Sequence, residues 1–312
     1  MNLREQENLL AICKYGTIKY AAEALNISSP ALSVFLSSKE KSLGFPLFDR
    51  MGKKFVPTEG GRLYLHYAAQ MVDLKNQYEA ALTDLKGGIS GTLRLGLHPR
   101  RTTYLLPAAL RRFSGLYPGV QVSVFEGGSS ELFRMVLEGE LDLVVNNRRS
   151  SHAALEYLPL YDDRLVVVVS PDHRRVREAQ AIEGFPLPWI DLRVFDGETF
   201  ILQHPSQSVR TYTDRALTHS GARPGRVFLI ENLEAASQMA AEELGIAFNM
   251  ASYTVNFVYP RPVLHFLVGD PGEIVPYHAI RRRDRYVPQY ARDFVSVVAE
   301  CAKEAPWSHS RP

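Results

Sequence analysis

Apolar residues recur at helical spacing in three runs within residues 1–58, and polar residues separate these runs. Gly16 ends the first run, and Thr17 is a capping residue for the second. Ser28 caps the third run, and Pro30 falls in its first turn, where a missing N–H costs little. The pattern predicts three short helices. Two apolar pairs then flank a polar segment, which predicts a small two-stranded hairpin with a basic tip.

A long helical pattern follows, because Thr58 is a capping residue and no proline occurs before Pro99. Along it, apolar residues alternate by three and four like the seam of a coiled coil. The seam residues are Tyr64, Tyr67, Met71, Leu74, Tyr78, Ala81 and Leu85. A rod of roughly 28 residues is about 40 Å long and does not bury one stripe inside a small domain. The sequence therefore predicts dimerisation through this helix, with a helix packed on its own chain as the alternative.

From Gly91 onward, short apolar runs alternate with helical windows. The runs predicted as strands are 92–97, 120–125, 141–145, 165–169, 227–230 and 246–249. The helical windows between them include 104–117, 131–138 and 233–243. Such alternation over about 200 residues predicts parallel sheets covered by helices.

The composition is that of a globular chain, with 46% hydrophobic and 22% charged residues among 312. This length predicts two domains, or up to three small ones. No segment approaches the roughly 20 apolar residues of a membrane span, and the acidic N-terminus has no signal-peptide pattern. Two cysteines give neither a disulfide framework nor zinc spacing. We therefore expect a cytoplasmic protein with no membrane partner, metal or cofactor.

The net charge of +2 neither requires nor excludes nucleic acid, but its distribution is informative. Residues 39–54 contain five basic and two acidic residues. A solvated face is one interpretation of this run, and a nucleic-acid contact is the other.

The segment from Ile18 to Ser33 fits a helix-turn-helix. Ala21 and Ala22 are small enough for two helices to cross closely, and Ile27 supplies the apolar turn residue. Polar side chains follow on the second helix, as contact with base edges and phosphates requires. They are Ser28, Ser29, Ser33, Ser37, Ser38 and Lys39. Spacing alone leaves a small three-helix bundle as an alternative.

The chain resembles the LysR-type transcriptional regulators in both halves, in order, over essentially its whole length. Residues 1–65 match the DNA-binding half through Ala21-Ala22, Ser28-x-Pro30-Ala31-Leu32-Ser33, Leu43-Gly44-x-Pro46-Leu47-Phe48-x-Arg50 and Pro57-Thr58-Glu59-x-Gly61. The second half matches the effector domain through Gly91-Thr92-Leu93-Arg94-Leu95-Gly96, Leu105-Leu106-Pro107, Tyr117-Pro118-Gly119-Val120, Glu138-Gly139-Glu140-Leu141-Asp142-Leu143 and Leu244-Gly245-Ile246-Ala247.

This resemblance implies an α/β protein with an all-α N-terminal part. It implies a winged helix-turn-helix over 1–58, a linker and dimerisation helix over 59–88, and a periplasmic-binding-protein-like effector domain over 89–312. Subdomain I would comprise 91–162 and 269–305, and subdomain II would comprise 163–268. The expected function is sequence-specific binding of promoter or operator DNA by a homodimer or homotetramer under small-molecule control, with RNA polymerase as a further candidate partner. A cytoplasmic small-molecule-binding protein without operator-specific DNA binding is the alternative.

The predicted DNA contacts combine the second helix of the helix-turn-helix with the basic hairpin. They are Ser28, Ser29, Pro30, Ser33, Val34, Ser37, Ser38, Arg50, Lys53 and Lys54. The chain departs from the family at Ser29, where Gln is usual, and at Val34, where a basic residue is common. Ser29 lacks the bidentate adenine contact that Gln makes.

Loops that follow strands from both subdomains supply the predicted effector contacts, because ligands of such folds sit where strands end. They are His98, Arg100, Arg101, Thr102, Ser129, Ser130, His204, Ser206 and Gln207. Related regulators often carry Ser or Thr at such positions, so His98, Arg100 and Arg101 shift this site toward positive charge. We expect an anionic effector, such as a carboxylate, sulfate or phosphate ester. The alternative is that both arginines face solvent or pair with acidic neighbours.

No catalytic residue is predicted, because the sequence has no dinucleotide or Walker loop, no Gly-x-Ser-x-Gly elbow and no His-Glu-x-x-His. The histidines are scattered without ligand spacing. A basic cluster over residues 281–285 is interpreted as the solvated end of a strand, with a subunit contact as the alternative.

Overall fold

The computed structural model describes residues 3–52, 54–85, 90–254, 259–270, 272–305 and 307. Its N-terminal unit consists of three helices and a hairpin. These elements are α1 (Arg4–Tyr15), α2 (Ile18–Ala24), α3 (Ser29–Leu43), β1 (Phe48–Met51) and β2 (Lys54–Pro57). The Thr17 hydroxyl accepts a hydrogen bond from the Tyr20 N–H, and the Ser28 hydroxyl accepts one from the Ala31 N–H, each at 3.3 Å. Both caps predicted from the sequence are therefore present.

A single long helix, α4 (Glu59–Leu85), follows the hairpin. The Thr58 hydroxyl caps it by accepting a hydrogen bond from the Gly61 N–H at 2.9 Å. Gly61 packs directly on the hairpin, because a Cβ at this position would lie 1.9 Å from the Leu47 carbonyl oxygen. Only glycine allows α4 to start this close to β1.

Strands and helices alternate beyond residue 90. The strands are β3 (Gly91–Leu97), β4 (Val120–Glu126), β5 (Leu143–Asn146), β6 (Leu155–Asp163), β7 (Leu165–Val169), β8 (Thr199–Leu202), β9 (Arg226–Leu229), β10 (Ile246–Met250), β11 (Leu264–Leu267) and β12 (Val275–Arg282). The helices are α5 (Pro99–Tyr104), α6 (Leu106–Leu116), α7 (Ser129–Leu137), α8 (Ser208–Ser220), α9 (Leu233–Ala241) and α10 (Gln289–Lys303).

These strands form two five-stranded sheets, one in each subdomain. Their orders are β4-β3-β5-β12-β6 in the first and β11-β7-β10-β8-β9 in the second. The expectation of parallel sheets is wrong in part, because β12 runs antiparallel to β5 and β6, and β7 runs antiparallel to β10 and β11. The chain crosses between the sheets twice, from β6 to β7 and from β11 to β12. The strands that follow these crossings, β7 and β12, run antiparallel to both of their neighbours.

One helix that shapes the site was not predicted. The predicted window 104–117 corresponds to α6, which begins at Leu106 with Pro107 in its first turn, whereas the short helix α5 precedes it and ends at Tyr104. α5 starts directly after β3, with His98 as its N-terminal cap. Within the described ranges, no helix is both long and apolar enough to cross a bilayer.

Candidate DNA interface and effector cleft

The outer face of α3, the second helix of the helix-turn-helix, carries both polar and apolar side chains. Leu32 and Leu36 bury its inner face against α1 and α2, where Ala21 and Ala22 are at most 1% exposed. Of the predicted DNA contacts on this element, Ser29 and Ser33 are half-buried, and the remaining ones are exposed. The exposed ones are Ser28, Pro30, Val34, Ser37 and Ser38.

The hairpin β1–β2 lies beside α3 and is braced by it. The Glu40 carboxylate accepts hydrogen bonds from the Leu47 and Phe48 N–H groups at 2.7 and 3.2 Å. Arg50 and Lys54 are exposed on the hairpin, and the Arg50 guanidinium lies 5.4 Å from the centre of the Phe55 ring. Lys53, the other predicted contact, lies outside the described residues. The basic groups thus extend the surface that α3 begins.

The predicted seam on α4 is largely uncovered within one chain. Five of its residues are between 47% and 85% exposed, which are Tyr67, Met71, Leu74, Tyr78 and Leu85. Tyr64 and Ala81 are half-buried, and Tyr64 packs on the N-terminal core. Five exposed apolar side chains at this spacing do not form a core with their own chain.

The opposite face of α4 contacts subdomain I through buried charges. Asp73 is 5% exposed, and its carboxylate lies 2.7 Å from the Arg285 guanidinium and 3.4 Å from that of Arg282. Arg285 also contacts the Asp142 carboxylate at 2.9 Å, which in turn holds Arg94 of β3 at 2.9 Å. The interpretation of residues 281–285 as a solvated strand end is therefore wrong for Arg282 and Arg285, because they form an ion cluster with the linker helix.

Of the two arginines expected to bind the effector, Arg100 bridges the two subdomains. Its guanidinium donates a hydrogen bond to the Tyr253 carbonyl at 2.7 Å and lies 3.6 Å from the Glu234 carboxylate. Both groups belong to subdomain II, whereas Arg100 lies on α5 of subdomain I. The alternative of pairing with an acidic neighbour thus applies to Arg100, because the two subdomains approach closely here.

Arg101 is a buried cation, 3% exposed. Its guanidinium donates a hydrogen bond to the Asn147 side-chain oxygen at 2.9 Å and lies 4.8 Å from the centre of the Tyr277 ring. Among the described residues, no carboxylate lies within 4 Å of its nitrogens, and its Nε has no hydrogen-bond partner. The Asp163 carboxyl interacts with Arg101 only at a longer distance. A buried charge without a directly paired counter-ion is costly, so this site favours an anion.

His98 contributes a cap and not a charge. Its Nδ1 accepts a hydrogen bond from the Arg100 N–H at 3.3 Å. Burial lowers the pKa of His98 to about 4, and the nearby Arg101 cation adds to this effect. The expectation that His98 adds positive charge is therefore wrong at neutral pH, because its ring is neutral there.

The other predicted effector residues lie on α5, on α7 and in the loop after β8, and their surroundings vary. The Thr102 hydroxyl hydrogen-bonds to the Glu126 carboxylate, and Ser129 accepts a hydrogen bond from the Asn146 amide at 3.0 Å. Ser130, His204 and Ser206 are exposed. The Gln207 amide is turned toward the Glu231 carbonyl, to which it donates at 2.8 Å.

Three polar residues in this region were not predicted. Arg148 donates a hydrogen bond to the Ser206 carbonyl at 2.8 Å, so the loops after β5 and β8 meet. Asn147 precedes Arg148 in the first loop, and Gln203 precedes Ser206 in the second. Gln203 is fully buried with both amide atoms unpartnered. The Asn147 amide nitrogen is also unpartnered. The sequence could have indicated them, because Asn147 and Gln203 directly follow the buried strands β5 and β8, and Arg148 comes one residue later.

Four tyrosines surround Arg101 where the subdomains join. Tyr161 stacks on Tyr277 with ring centres 4.6 Å apart and hydrogen-bonds through its hydroxyl to Tyr104. The Tyr253 hydroxyl lies 3.1 Å from that of Tyr277. The rings shield the cation from water and place it at the crossing between β6 and β7.

At this crossing, Asp163 is a fully buried carboxyl group. It accepts hydrogen bonds from the Ser252 hydroxyl at 2.5 Å and from the Arg164 N–H at 2.8 Å. Burial nevertheless raises the pKa of Asp163 to about 6. The group that ties subdomain II to the crossing therefore titrates in mildly acidic solution.

Two family models match the chain. The model of the bacterial regulatory helix-turn-helix protein of the lysR family matches residues 3–62, and that of the LysR substrate binding domain matches residues 86–302. The chain belongs to the LysR family. It is thus a LysR-type transcriptional regulator with a DNA-binding unit and an effector-binding domain.

One known protein of similar sequence and two of similar fold illustrate what the chain resembles. The RuBisCO operon transcriptional regulator of Allochromatium vinosum is 25% identical over 304 residues, which cover 97% of each chain. A full-length OxyR variant from Pseudomonas aeruginosa is 18% identical with a TM-score of 0.71, covering 98% of each chain. Full-length CbnR in complex with its target DNA is 19% identical with a TM-score of 0.64, covering 96% of this chain and 100% of that one.

The family model over residues 3–62 also decides between the two interpretations of the N-terminal unit. An unrelated three-helix bundle is excluded for this LysR-type regulator, and the helix-turn-helix prediction is confirmed. Members of this family are regulators and not enzymes.

Proposed function

We propose that this regulator reads an operator through α3 and the β1–β2 hairpin, pairs with a second copy through α4, and responds to an anionic small molecule held between its subdomains. The observation that carries the effector proposal is the buried Arg101 guanidinium without a carboxylate beside it. We propose the domain limits that the resemblance implies, with the linker helix at residues 59–88. We also propose that the protein acts in the cytoplasm, where the chromosome lies.

The proposed DNA contacts divide by role. The α3 residues at positions 28–38 face base edges in the major groove, and the basic hairpin residues face phosphates, which position the protein without reading sequence. The double substitution Arg50→Gln and Lys54→Gln is expected to weaken all sites similarly and to reduce the salt slope by up to about two units.

A matched control removes the same charge far from the DNA. Arg174→Gln with Arg193→Gln changes two exposed arginines of the effector domain, whose side chains are 75% and 72% exposed. Binding is measured by titration of operator DNA at several salt concentrations. An equal slope for the hairpin variant and the control would remove the hairpin from the interface.

The proposed dimer seam is tested by placing a charge in it. Leu74→Asp puts an unpaired carboxylate between two copies of α4, which costs several kcal/mol. Asn76→Asp adds the same charge to an exposed position of α4 outside the seam. We expect sedimentation to show dissociation only for Leu74→Asp, with the helix content of both checked by circular dichroism. A native dimer for Leu74→Asp would contradict the seam.

The proposed effector carries a negative charge and a hydrogen-bonding group beside it. The Arg101 Nε and the Asn147 amide nitrogen are unpartnered donors in subdomain I, and the Gln203 amide is an unpartnered donor and acceptor in subdomain II. A ligand that satisfies both sides gains affinity only when the subdomains close on it. Small hydroxy- or oxo-acids and sugar phosphates fit this chemistry.

Thermal shift with small carboxylates and phosphate esters tests this proposal, with the uncharged amide or methyl ester of each as a control. A ligand at 100 times its Kd stabilises the folded protein by about 2.7 kcal/mol. Arg101→Gln is expected to abolish this shift, whereas Arg193→Gln on the distant surface keeps it. If only uncharged ligands stabilise the wild type, or if Arg101→Gln binds the best anion as tightly, the effector is not recognised as an anion here.

A further inference from the structure

The outer face of α3 is apolar at its centre. Val34 is 70% exposed and lies one helical turn after Pro30 and Ala31, which are also exposed. These three residues share one side of the helix, because positions three and four apart are neighbours on its surface. The first two turns of α3 thus present aliphatic carbon to the surroundings, with serine hydroxyls on either side.

Charged groups of α3 are largely engaged with the protein itself. The Lys39 ammonium lies 2.7 Å from the Glu5 carboxylate and stands over the Tyr64 ring. Glu40 accepts the hydrogen bonds from the Leu47 and Phe48 N–H groups. Sequence readout by this helix therefore does not depend on these two side chains.

Apart from its two lysines, the helix also lacks the side chains that recognise purines in two-point contacts. Lys39 is paired with Glu5, and Lys41 is exposed near the C-terminal end of α3. Residues 29–43 contain no Arg, Asn or Gln, and these residue types make most bidentate contacts to guanine and adenine. Serine hydroxyls both donate and accept, so they discriminate weakly between bases. Besides a guanine contact from Lys41, the signal in the major groove that fits the first two turns of α3 is the thymine 5-methyl group, which is the only apolar group there.

We propose that Val34 reads a thymine of the operator by packing against its 5-methyl group, with Pro30 and Ala31 extending the same apolar contact toward the neighbouring base pair. Pro30 and Val34 are about 6 Å apart along the helix axis, which corresponds to roughly two base-pair steps. The inference rests on the proposed operator binding and deepens it, because it names the base that the helix prefers.

Replacing thymine by deoxyuridine tests this contact, since the substitution removes only the methyl group. The operator is first selected from random duplexes with the full-length protein, and each thymine of the half-site is then replaced in turn. At one position we expect an affinity loss of about fourfold, which corresponds to the ~0.8 kcal/mol of one buried carbon group. Val34→Ala is expected to bind the thymine and deoxyuridine operators equally at that position.

Val227→Ala is the matched control, because it shortens another exposed valine, on β9 of the effector domain. It is expected to retain the fourfold thymine preference, even if it changes affinity for all duplexes. A cytosine at the same position is expected to bind weakly, and 5-methylcytosine is expected to recover part of the loss.

The outcomes separate this inference from the function on which it rests. If no duplex is selected, operator binding itself is wrong, and the inference fails with it. If an operator is selected but no thymine-to-deoxyuridine change matters, or if Val34→Ala keeps the preference, the operator function stands and the role of Val34 is refuted.

Discussion

The ion cluster that joins α4 to subdomain I gives a prediction whose magnitude follows from its contacts. Asp73→Ala removes the carboxylate that lies 2.7 Å from Arg285 and 3.4 Å from Arg282. It also removes the acceptor of the Gln77 side-chain amide, which donates to Asp73 at 2.9 Å. The variant therefore loses three contacts at a place where the carboxylate is 5% exposed.

Removal of one partner from a buried ion pair costs about 3–5 kcal/mol when the other charge is stranded. Arg285 is not stranded, because Asp142 remains 2.9 Å away and the Leu141 carbonyl still accepts a hydrogen bond at 3.1 Å. We therefore expect a loss of about 2 kcal/mol, below that range, which is roughly a thirtyfold change in the equilibrium for undocking α4.

Native-state hydrogen exchange of the α4 amides is the appropriate measurement, because a chain of several units does not unfold in one two-state step. Glu79→Ala is the control on the same helix. Glu79 is 58% exposed and 3.9 Å from Lys75, so its loss is expected to cost less than about 0.5 kcal/mol. Equal exchange rates for the two variants would show that Asp73 does not hold the helix in place.

Two further predictions concern packing and pH. Gly61→Ala is expected to lower the free energy of unfolding by about 2–3 kcal/mol, because its methyl group would overlap the Leu47 carbonyl. The control Gly115→Ala places its methyl group in open space and is not expected to destabilise the protein. Thermal melting distinguishes the two variants, and equal melting temperatures would contradict the overlap. The pKa of Asp163 is raised to about 6 from 3.8, so its contribution to stability is full below pH 4 and is lost as the pH rises through 6. Asp163→Asn is expected to remove that slope and to gain up to about 3 kcal/mol at pH 7, and an unchanged slope in melts from pH 4 to 8 would refute the assignment.

The sequence correctly predicted the helices whose first residues are capped by a nearby side chain. Thr17, Ser28 and Thr58 cap helices where expected, because a cap depends on residues within one turn. β6 was not predicted, and only the end of β12 was, at residues 281–285; both strands lie at the crossings between subdomains. Their pairing joins residues more than 100 positions apart, for example Leu155 with Arg282, and no local pattern encodes such a partner.

The candidate effector site was predicted by position but not by role. The segment after β3 is the helix α5, which lies where the two subdomains meet, and its role in effector binding stays a prediction. Arg100 and Arg101 make different contacts although they are adjacent. On a helix, neighbouring side chains diverge by about 100°, so Arg100 reaches Glu234 across the cleft while Arg101 enters the tyrosine cluster. Which of the two arginines is buried depends on Tyr277 of β12. Because this strand is distant in sequence, the residues around Arg100 and Arg101 do not predict the outcome.

The same two strands connect the effector cleft with the linker helix. Arg94 lies in the middle of β3 and belongs to the ion cluster, and Arg101 follows the end of β3. Tyr277 contacts Arg101 near the start of β12, and Arg282 ends that strand beside Asp73. Because close-packed sheets transmit displacement with little compression, an anion that moves Arg101 is expected to shift α4 through Asp73. The wild-type operator footprint should then change with the anion, whereas Asp73→Ala should still bind the anion with an unchanged footprint. A footprint that still responds in Asp73→Ala would mean that the signal reaches DNA by another path.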